Sequence, residues 1–220
     1  LSAKAICALG SFAKLCEMRG DTAKAEEYSK LAHEFAQRWI KAADDGDHFR
    51  LAFDKPGTWS QKYNLVWDRI LGLNLFPAFV AENEMTFYKK VQNQYGLPLD
   101  NREAYTKLDW TTWTATLTEN RADFEALVNP VVAFLNATPD RTPMSDWYQT
   151  KTARRVGFDA RPVVGGVFLQ LLYEQAVWHK YAERDQTQAS NWAPIPKPPA
   201  TTIVVPAVDT RILVRHHVFN

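Results

Sequence analysis

Five aspartates in or beside polar loops are the residues of this chain best suited to hydrolytic chemistry. They are Asp54, Asp68, Asp100, Asp109 and Asp146. Hydrolysis by a carboxylate pair needs one carboxylic acid to protonate the leaving group and one carboxylate to activate water. Asp109 and Asp146 form the best pair, because each precedes a tryptophan where a loop meets a predicted helix. Either could instead be a helix N-cap, a role that stabilises a helix by about 1 kcal/mol.

Aromatic and charged side chains in the same loops are candidate substrate contacts. Arg102 could bind an amino-acid carboxylate through its guanidinium group, although a turn stabilised by Asp100 and Asn101 would explain the segment equally well. The aromatic candidates could stack on a sugar or cover an aliphatic substrate, or could belong to the core. They are Trp59, Trp110, Trp147 and Tyr148.

Other chemistries have weaker patterns. Ser60 and Ser145 lie in the loops, but no histidine is near either in sequence. Ser11 and Lys14 match a short Ser-x-x-Lys spacing, but they fall in the middle of a predicted helix. The five histidines show no zinc-ligand spacing, so we expect neither a metal nor another cofactor.

The loops that carry these residues each lead into an unusually apolar helix. Such helices are predicted to begin near residues 2, 63, 109 and 162, at intervals of roughly 45 to 60 residues, and amphipathic helices lie between them. A helix that is apolar all round must be covered on every side. The pattern therefore predicts an all-α fold that is part of an (α/α)6 toroid, with apolar helices inside, amphipathic helices outside and the long loops at one end.

The last of these apolar helices has an unusual start. Pro162 suits its first position, where the missing N–H costs nothing. Gly165 and Gly166 follow just inside, and each lowers the helix propensity by roughly 1 kcal/mol. That cost indicates that another part of the molecule closely approaches the backbone there.

Two domains are predicted: a partial α/α toroid over residues 1–185 and a Pro-rich extended tail over residues 186–220, with short strands at 201–205 and 211–219. Asp21 and Asn120 are predicted to cap the helices that follow them. The net charge of +1 argues against nucleic acid or an anionic membrane as a partner. No apolar run approaches the ~20 residues that cross a bilayer.

Five segments of the chain are long enough to be specific. They are FDKPGTWSQKYNLVWD (53–68), GLPLDNR (96–102), KLDW (107–110), PMSDWY (143–148) and RPVVGGVF (161–168). Together they closely resemble the C-terminal domain of the glutaminase A family. This resemblance covers about residues 1–185 and implies a six-hairpin, glycosidase-like fold. Members of the family are fungal and bacterial proteins, often secreted, with β-rich regions ahead of the toroid.

The resemblance implies hydrolysis of the side-chain amide of L-glutamine to glutamate and ammonia. The alternatives are a carbohydrate-active enzyme on the same toroid, since a fold does not fix its chemistry, and a non-catalytic fragment. The expected partners are a small-molecule substrate (glutamine or a sugar) and either the missing N-terminal part of the same protein or a companion chain. We expect activity only as part of a longer protein, in a secreted or periplasmic location.

Overall fold

The computed structural model describes residues 1–140 and 143–182, which are mostly helical. The α-helices are α1 (Ser2–Met18), α2 (Thr22–Ala43), α3 (Val66–Ile70), α4 (Ala78–Val91), α5 (Leu108–Ala115), α6 (Arg121–Ala137) and α7 (Gln175–Ala182). Two 3-10 helices span Tyr63–Leu65 and Pro162–Leu172, and two strands are β1 (Tyr105–Lys107) and β2 (Trp147–Gln149). Contacts group Leu1–Ala182 into one compact unit. The predicted tail and its strands lie outside the described residues.

Helices α1 and α2 form a hairpin whose ends agree with the sequence-based prediction. The Asp21 carboxylate accepts the Lys24 N–H at 3.2 Å and caps α2. Along the facing sides, small residues such as Ala32 and Ala36 are fully buried, which lets the two helices approach closely. Asn120 likewise caps α6 by accepting two backbone N–H groups.

Helix α3 is shorter than the apolar helix predicted to begin near residue 63. The reason is Asp68, whose carboxylate accepts the N–H groups of Leu75 and Phe76 at 2.9 and 3.0 Å. These bonds turn the chain back immediately after the helix, and Gly72 supports the turn with a φ of 59°. The buried Asp68 thus fixes a backbone turn near the start of α4.

The segment after Pro162 is also different from the predicted α-helix. It is an 11-residue 3-10 helix, a form that rarely extends beyond about four residues. At Gly166 an added Cβ would lie 2.9 Å from Trp113 Nε1 and 3.0 Å from Asp109 Cβ, whereas at Gly165 it would meet nothing within 4 Å. The prediction of a close approach is therefore confirmed for Gly166 and wrong for Gly165.

The sheet formed by β1 and β2 has no counterpart in the sequence analysis. The strands are antiparallel, with Thr106 opposite Tyr148 and Lys107 opposite Trp147. Gln61 joins this region to the preceding loop, because its Nε2 atom donates to Leu97 O at 2.9 Å and lies 3.1 Å from Thr106 Oγ1. The three polar loops of the sequence are thus hydrogen-bonded to one another. No helix in the described ranges is long and apolar enough to cross a membrane.

Candidate functional site

The two-stranded sheet brings Asp109 and Asp146 to the same place. Strand β1 ends at Lys107, opposite the first residue of β2, Trp147. Leu108 N–H donates to Asp146 O at 2.7 Å and continues the pairing. Asp109 follows in the first turn of α5. Two aspartates that are 37 positions apart in sequence are thus brought together by the pairing of their segments.

Asp146 is a buried carboxylate with two cationic partners. Its residue is only 1% exposed. Oδ2 receives Lys107 Nζ at 3.0 Å and Arg161 Nη1 at 3.3 Å. Oδ1 is equally buried but has no hydrogen-bond partner among the described residues. The ion pairs therefore compensate one oxygen of this carboxylate and leave the other as an acceptor.

Asp109 is also buried, at 5% exposure, but in different electrostatic surroundings. Burial raises the pKa of Asp109, and the negative charge of Asp146 adds to this effect, while the backbone N–H of Trp110 and the more distant Lys107 work against it. Its Oδ1 atom also has no hydrogen-bond partner in the described part of the chain. The site therefore pairs a carboxyl group that favours its protonated form with one that is ion-paired.

Trp147, the residue after Asp146, has a third unpartnered polar atom. Lys107 Nζ lies 4.4 Å from the centre of the indole ring, in a cation–π contact. The ring also packs edge-on against Tyr105, with ring centres 5.3 Å apart. Its Nε1 donor is buried and has no acceptor within the described ranges.

The longer 3-10 helix, Pro162–Leu172 (hereafter the 3-10 helix), covers Asp109. Trp113 Nε1 donates to Gly166 O at 2.9 Å, and this bond holds the glycine backbone directly against the Asp109 side chain. A larger residue at position 166 would collide with both neighbours. The same helix follows Arg161, so one segment both shields Asp109 and supplies a cation to Asp146.

A cleft of about 210 Å³ is lined by Tyr63 and by Trp110, the residue that follows Asp109. These two rings stack nearly parallel, with centres 4.3 Å apart and planes inclined by 8°. Burial raises the pKa of Tyr63, and the Asp109 charge adds to that rise. The electrostatic field of Asp109 therefore reaches a residue of the cleft. The cleft is also lined by Ser60, Lys62, Asp100 and Arg102.

The remaining predicted substrate contacts have other positions. Tyr148 is fully buried, stacks on Phe134 with ring centres 3.6 Å apart, and donates to Tyr95 O at 2.8 Å. Its ring therefore belongs to the core, in place of the predicted substrate contact. Trp59 is likewise buried in a core cluster, so the structure also gives it a packing role.

Asp100 and Arg102 reach the cleft but bind each other. The guanidinium group of Arg102 donates to both carboxylate oxygens of Asp100, at 2.9 and 2.7 Å. Asp100 also accepts the backbone N–H of Arg102 at 2.9 Å, which is the stabilised turn considered as the alternative. A substrate carboxylate would have to compete with this ion pair for Arg102.

Sequence reasoning missed the cations of the site. Lys107 stands two residues before Asp109, and Arg161 stands one residue before the Pro162 that opens the 3-10 helix. A basic residue beside each predicted loop-to-helix junction was the available signal. It could not have been assigned to Asp146, because both contacts depend on the pairing of distant segments.

Comparisons with known proteins agree with the fold. Residues 1–171 match the family described as the glutaminase A six helical-hairpin domain. Glutaminase A from Aspergillus oryzae is 34% identical over 179 residues, which cover 78% of this chain and 26% of that protein. A protein of Arthroderma benhamiae named "Probable glutaminase" is 26% identical over 208 residues, covering 80% of this chain and 24% of that protein.

The chain spans about a quarter of the length of these two relatives. The family match, in contrast, extends through most of the chain and includes both aspartates, the sheet and nearly all of the 3-10 helix. The mostly helical structure agrees with it. The chain belongs to the glutaminase A six helical-hairpin domain family.

Proposed function

We propose that the intact protein carrying this chain hydrolyses the side-chain amide of L-glutamine to glutamate and ammonia, with Asp109 and Asp146 at the reacting group. The observation that carries this proposal is the pair of buried carboxyl groups, each with one unpartnered oxygen, in opposite electrostatic surroundings. The names of the two relatives support the same reaction.

The unpartnered atoms suit a primary amide. A carboxamide offers two N–H donors and one carbonyl acceptor. At Asp109, Asp146 and Trp147, the buried atoms without partners in the described part of the chain are two acceptors, Oδ1 of each aspartate, and one donor, Nε1 of Trp147. A primary amide carries the complementary groups, and each buried polar atom left unsatisfied costs about 1–3 kcal/mol.

The two carboxyl groups suit different steps. Asp109, whose raised pKa favours the neutral acid, gives a proton to the nitrogen that leaves as ammonia, and recovers one from the water that completes hydrolysis. Asp146 accepts an N–H of the amide and stabilises the positive charge that the nitrogen gains. Lys107 and Arg161 hold its carboxylate in place for this role.

The direct test is ammonia release from glutamine by the intact protein and by its Asp146→Asn variant. We expect turnover per folded molecule to fall at least about 100-fold, because a group at the reacting amide is removed. The thermal midpoint should fall as well, because the largely buried Lys107 loses its carboxylate partner. Asp47→Asn is the matched control, since Asp47 is ion-paired at the surface. Retained turnover with a large loss of stability would assign Asp146 a structural role.

A second candidate function is carbohydrate hydrolysis, which the stacked pair of Tyr63 and Trp110 favours because aromatic rings commonly face sugars. The same preparation can be assayed for release of reducing sugar from oligosaccharides. Sugar release without ammonia release would select this candidate.

A further inference from the structure

Lys62 makes an unusual contact with a serine hydroxyl at the wall of the cleft. It is only 7% exposed. Its Nζ atom donates to Phe49 O at 2.8 Å and to Ser60 O at 3.0 Å, and it lies 3.2 Å from Ser60 Oγ. The nearest carboxylate oxygen, Glu84 Oε1, is 3.6 Å away, which is beyond hydrogen-bond range.

Lys62 Nζ donates to all three oxygens, as a lysine ammonium group can, and the same distances fit an uncharged amine. A neutral lysine has two N–H donors and one lone pair, so the two carbonyl oxygens take the donors and the lone pair remains for the Ser60 hydroxyl. Burial lowers the pKa of Lys62, although the charge of Glu84 works in the opposite direction. Burial likewise raises the pKa of Glu84. Both members of this pair are therefore driven towards their neutral forms.

The serine is held in place by further bonds. The Tyr88 hydroxyl accepts a hydrogen bond from the backbone N–H of Lys62 at 2.9 Å and donates one to the backbone carbonyl of Ser60 at 2.9 Å. On its other side, Ser60 forms a backbone bridge with Asp100. Ser60 and Lys62 both line the cleft that also contains Trp110, the residue after Asp109. A serine whose backbone is held in place, a buried amine 3.2 Å from its hydroxyl and a cleft lined by both residues thus occur together.

We propose that Ser60 is a nucleophile and Lys62 its general base, so that amide hydrolysis proceeds through an ester on Ser60. A serine hydroxyl needs an adjacent base to become nucleophilic, and a lysine can act as that base when burial keeps it neutral. The identity of the amide rests on the proposed function. The activated state of Ser60 rests only on the contacts of this cleft.

The proton balance of the two steps closes. In the first, Ser60 Oγ gives its proton to Lys62 Nζ and bonds to the amide carbon, and the C–N bond breaks as Asp109 protonates the amide nitrogen, which leaves as ammonia. In the second, water attacks the ester carbon and gives a proton to Asp109. The ester bond breaks, and Ser60 Oγ recovers its proton from Lys62. The sum is amide plus water giving acid plus ammonia.

A fluorophosphonate probe tests the pair without relying on the natural substrate, because it phosphonylates serines activated by a base. We expect the intact protein to gain one phosphonyl group on the peptide that contains Ser60, and Ser60→Ala to gain none there. Ser11→Ala is the matched control, since Ser11 has a lysine nearby in sequence but donates to Cys7 O at 2.8 Å within α1. It should be labelled at the wild-type rate.

The role of Lys62 is tested by the rate of labelling. Lys62→Met should slow labelling at least about 100-fold. Because this variant leaves Glu84 buried without its partner, the double variant Lys62→Met with Glu84→Gln provides a second version without either ionisable group. Folding of each variant is checked by its melting transition. Labelling at the wild-type rate in either folded variant would overturn the role of Lys62.

The two proposals fail in different ways. If the protein releases ammonia from glutamine but Ser60 stays unlabelled in the folded wild type, Ser60 is not an activated nucleophile and this inference is overturned. If Ser60 is labelled through Lys62 but no ammonia is released, the nucleophile is supported and glutamine hydrolysis is rejected.

Discussion

Asp109 and Asp146 are both removed from water, but only Asp146 has cations bonded to its carboxylate. Lys107 and Arg161 compensate the Asp146 charge, whereas burial is the largest influence on Asp109 and raises its pKa. A carboxyl group whose pKa is raised in the folded state binds its proton more tightly than in the unfolded chain. Its contribution to stability is therefore complete below the unfolded-state pKa, and is lost as the pH rises through the folded-state pKa.

Asp109→Asn should for this reason raise the thermal midpoint of the intact protein near neutral pH. Asparagine has nearly the same shape but cannot ionise, so the variant avoids the cost of a buried charge. The gain over wild type should grow as the pH rises from about 4 to about 7, and turnover of glutamine should fall because the proton donor is gone. Melting curves recorded across this range, with parallel ammonia assays, measure both effects.

Asp47→Asn provides a control of opposite sign. A hydrogen bond from His48, followed by one from Lys90, lowers the pKa of Asp47, so this carboxylate stabilises the fold above its unfolded-state pKa. Its replacement should lower the midpoint slightly at neutral pH and have no effect in acid. A loss of stability for Asp109→Asn at every pH would contradict the inferred electrostatics of the site.

At the scale of elements, the features set by neighbours in sequence were predictable. The caps at Asp21 and Asn120 and the close approach at Gly166 each depend on short segments with strong local preferences, and the structure contains all three. The length of α3 was not predictable in the same way. Its apolar residues suit a longer helix, but Asp68 captures two backbone N–H groups beyond it.

The non-local contacts explain most of what the sequence could not reveal about the site. The choice of Asp109 and Asp146 came from a shared local pattern, a loop that meets an apolar segment, and it stays a prediction. The structure links the two segments through the bond from Leu108 N–H to Asp146 O. Their cations, and the amine beside Ser60, depend on which distant segments pair. Glu84, for example, comes from α4, 22 positions after Lys62 in the chain, and neither residue has a local pattern that indicates the other.

The 3-10 helix allows a matched test of backbone packing. Gly166→Ala should destabilise the protein by about 1–3 kcal/mol, because its Cβ would lie within 3.0 Å of both Trp113 and Asp109. Gly165→Ala should be neutral or slightly stabilising, since its Cβ meets nothing and alanine restricts the unfolded chain. Chemical denaturation of both variants provides the comparison. Equal effects at the two positions would mean that the 3-10 helix does not pack on Asp109 as described.

At the scale of the whole molecule, apolar side chains lie exposed on the first helix and on the 3-10 helix. On α1, Leu15 is 57% exposed and Met18 77% exposed; on the 3-10 helix, Phe168 is 67% exposed and Leu171 55% exposed. Fully burying one such side chain stabilises a protein by roughly 1.5–3 kcal/mol. Clusters of exposed apolar residues commonly mark surfaces that another segment or chain covers.

We therefore expect the isolated 220-residue chain to self-associate and to bind a hydrophobic dye, and the intact protein to do neither. Leu15→Lys and Phe168→Lys should reduce both effects in the isolated chain, because a charge disfavours apolar contact. In the intact protein the same changes should lower stability, since they would place a charge in a covered surface. Lys4→Arg is the control, because it conserves the charge at an exposed position on the same helix.

Size-exclusion chromatography, dye fluorescence and limited proteolysis measure these outcomes. A monomeric, protease-resistant isolated chain with a cooperative melting transition would show that residues 1–220 bury a sufficient core without further protein.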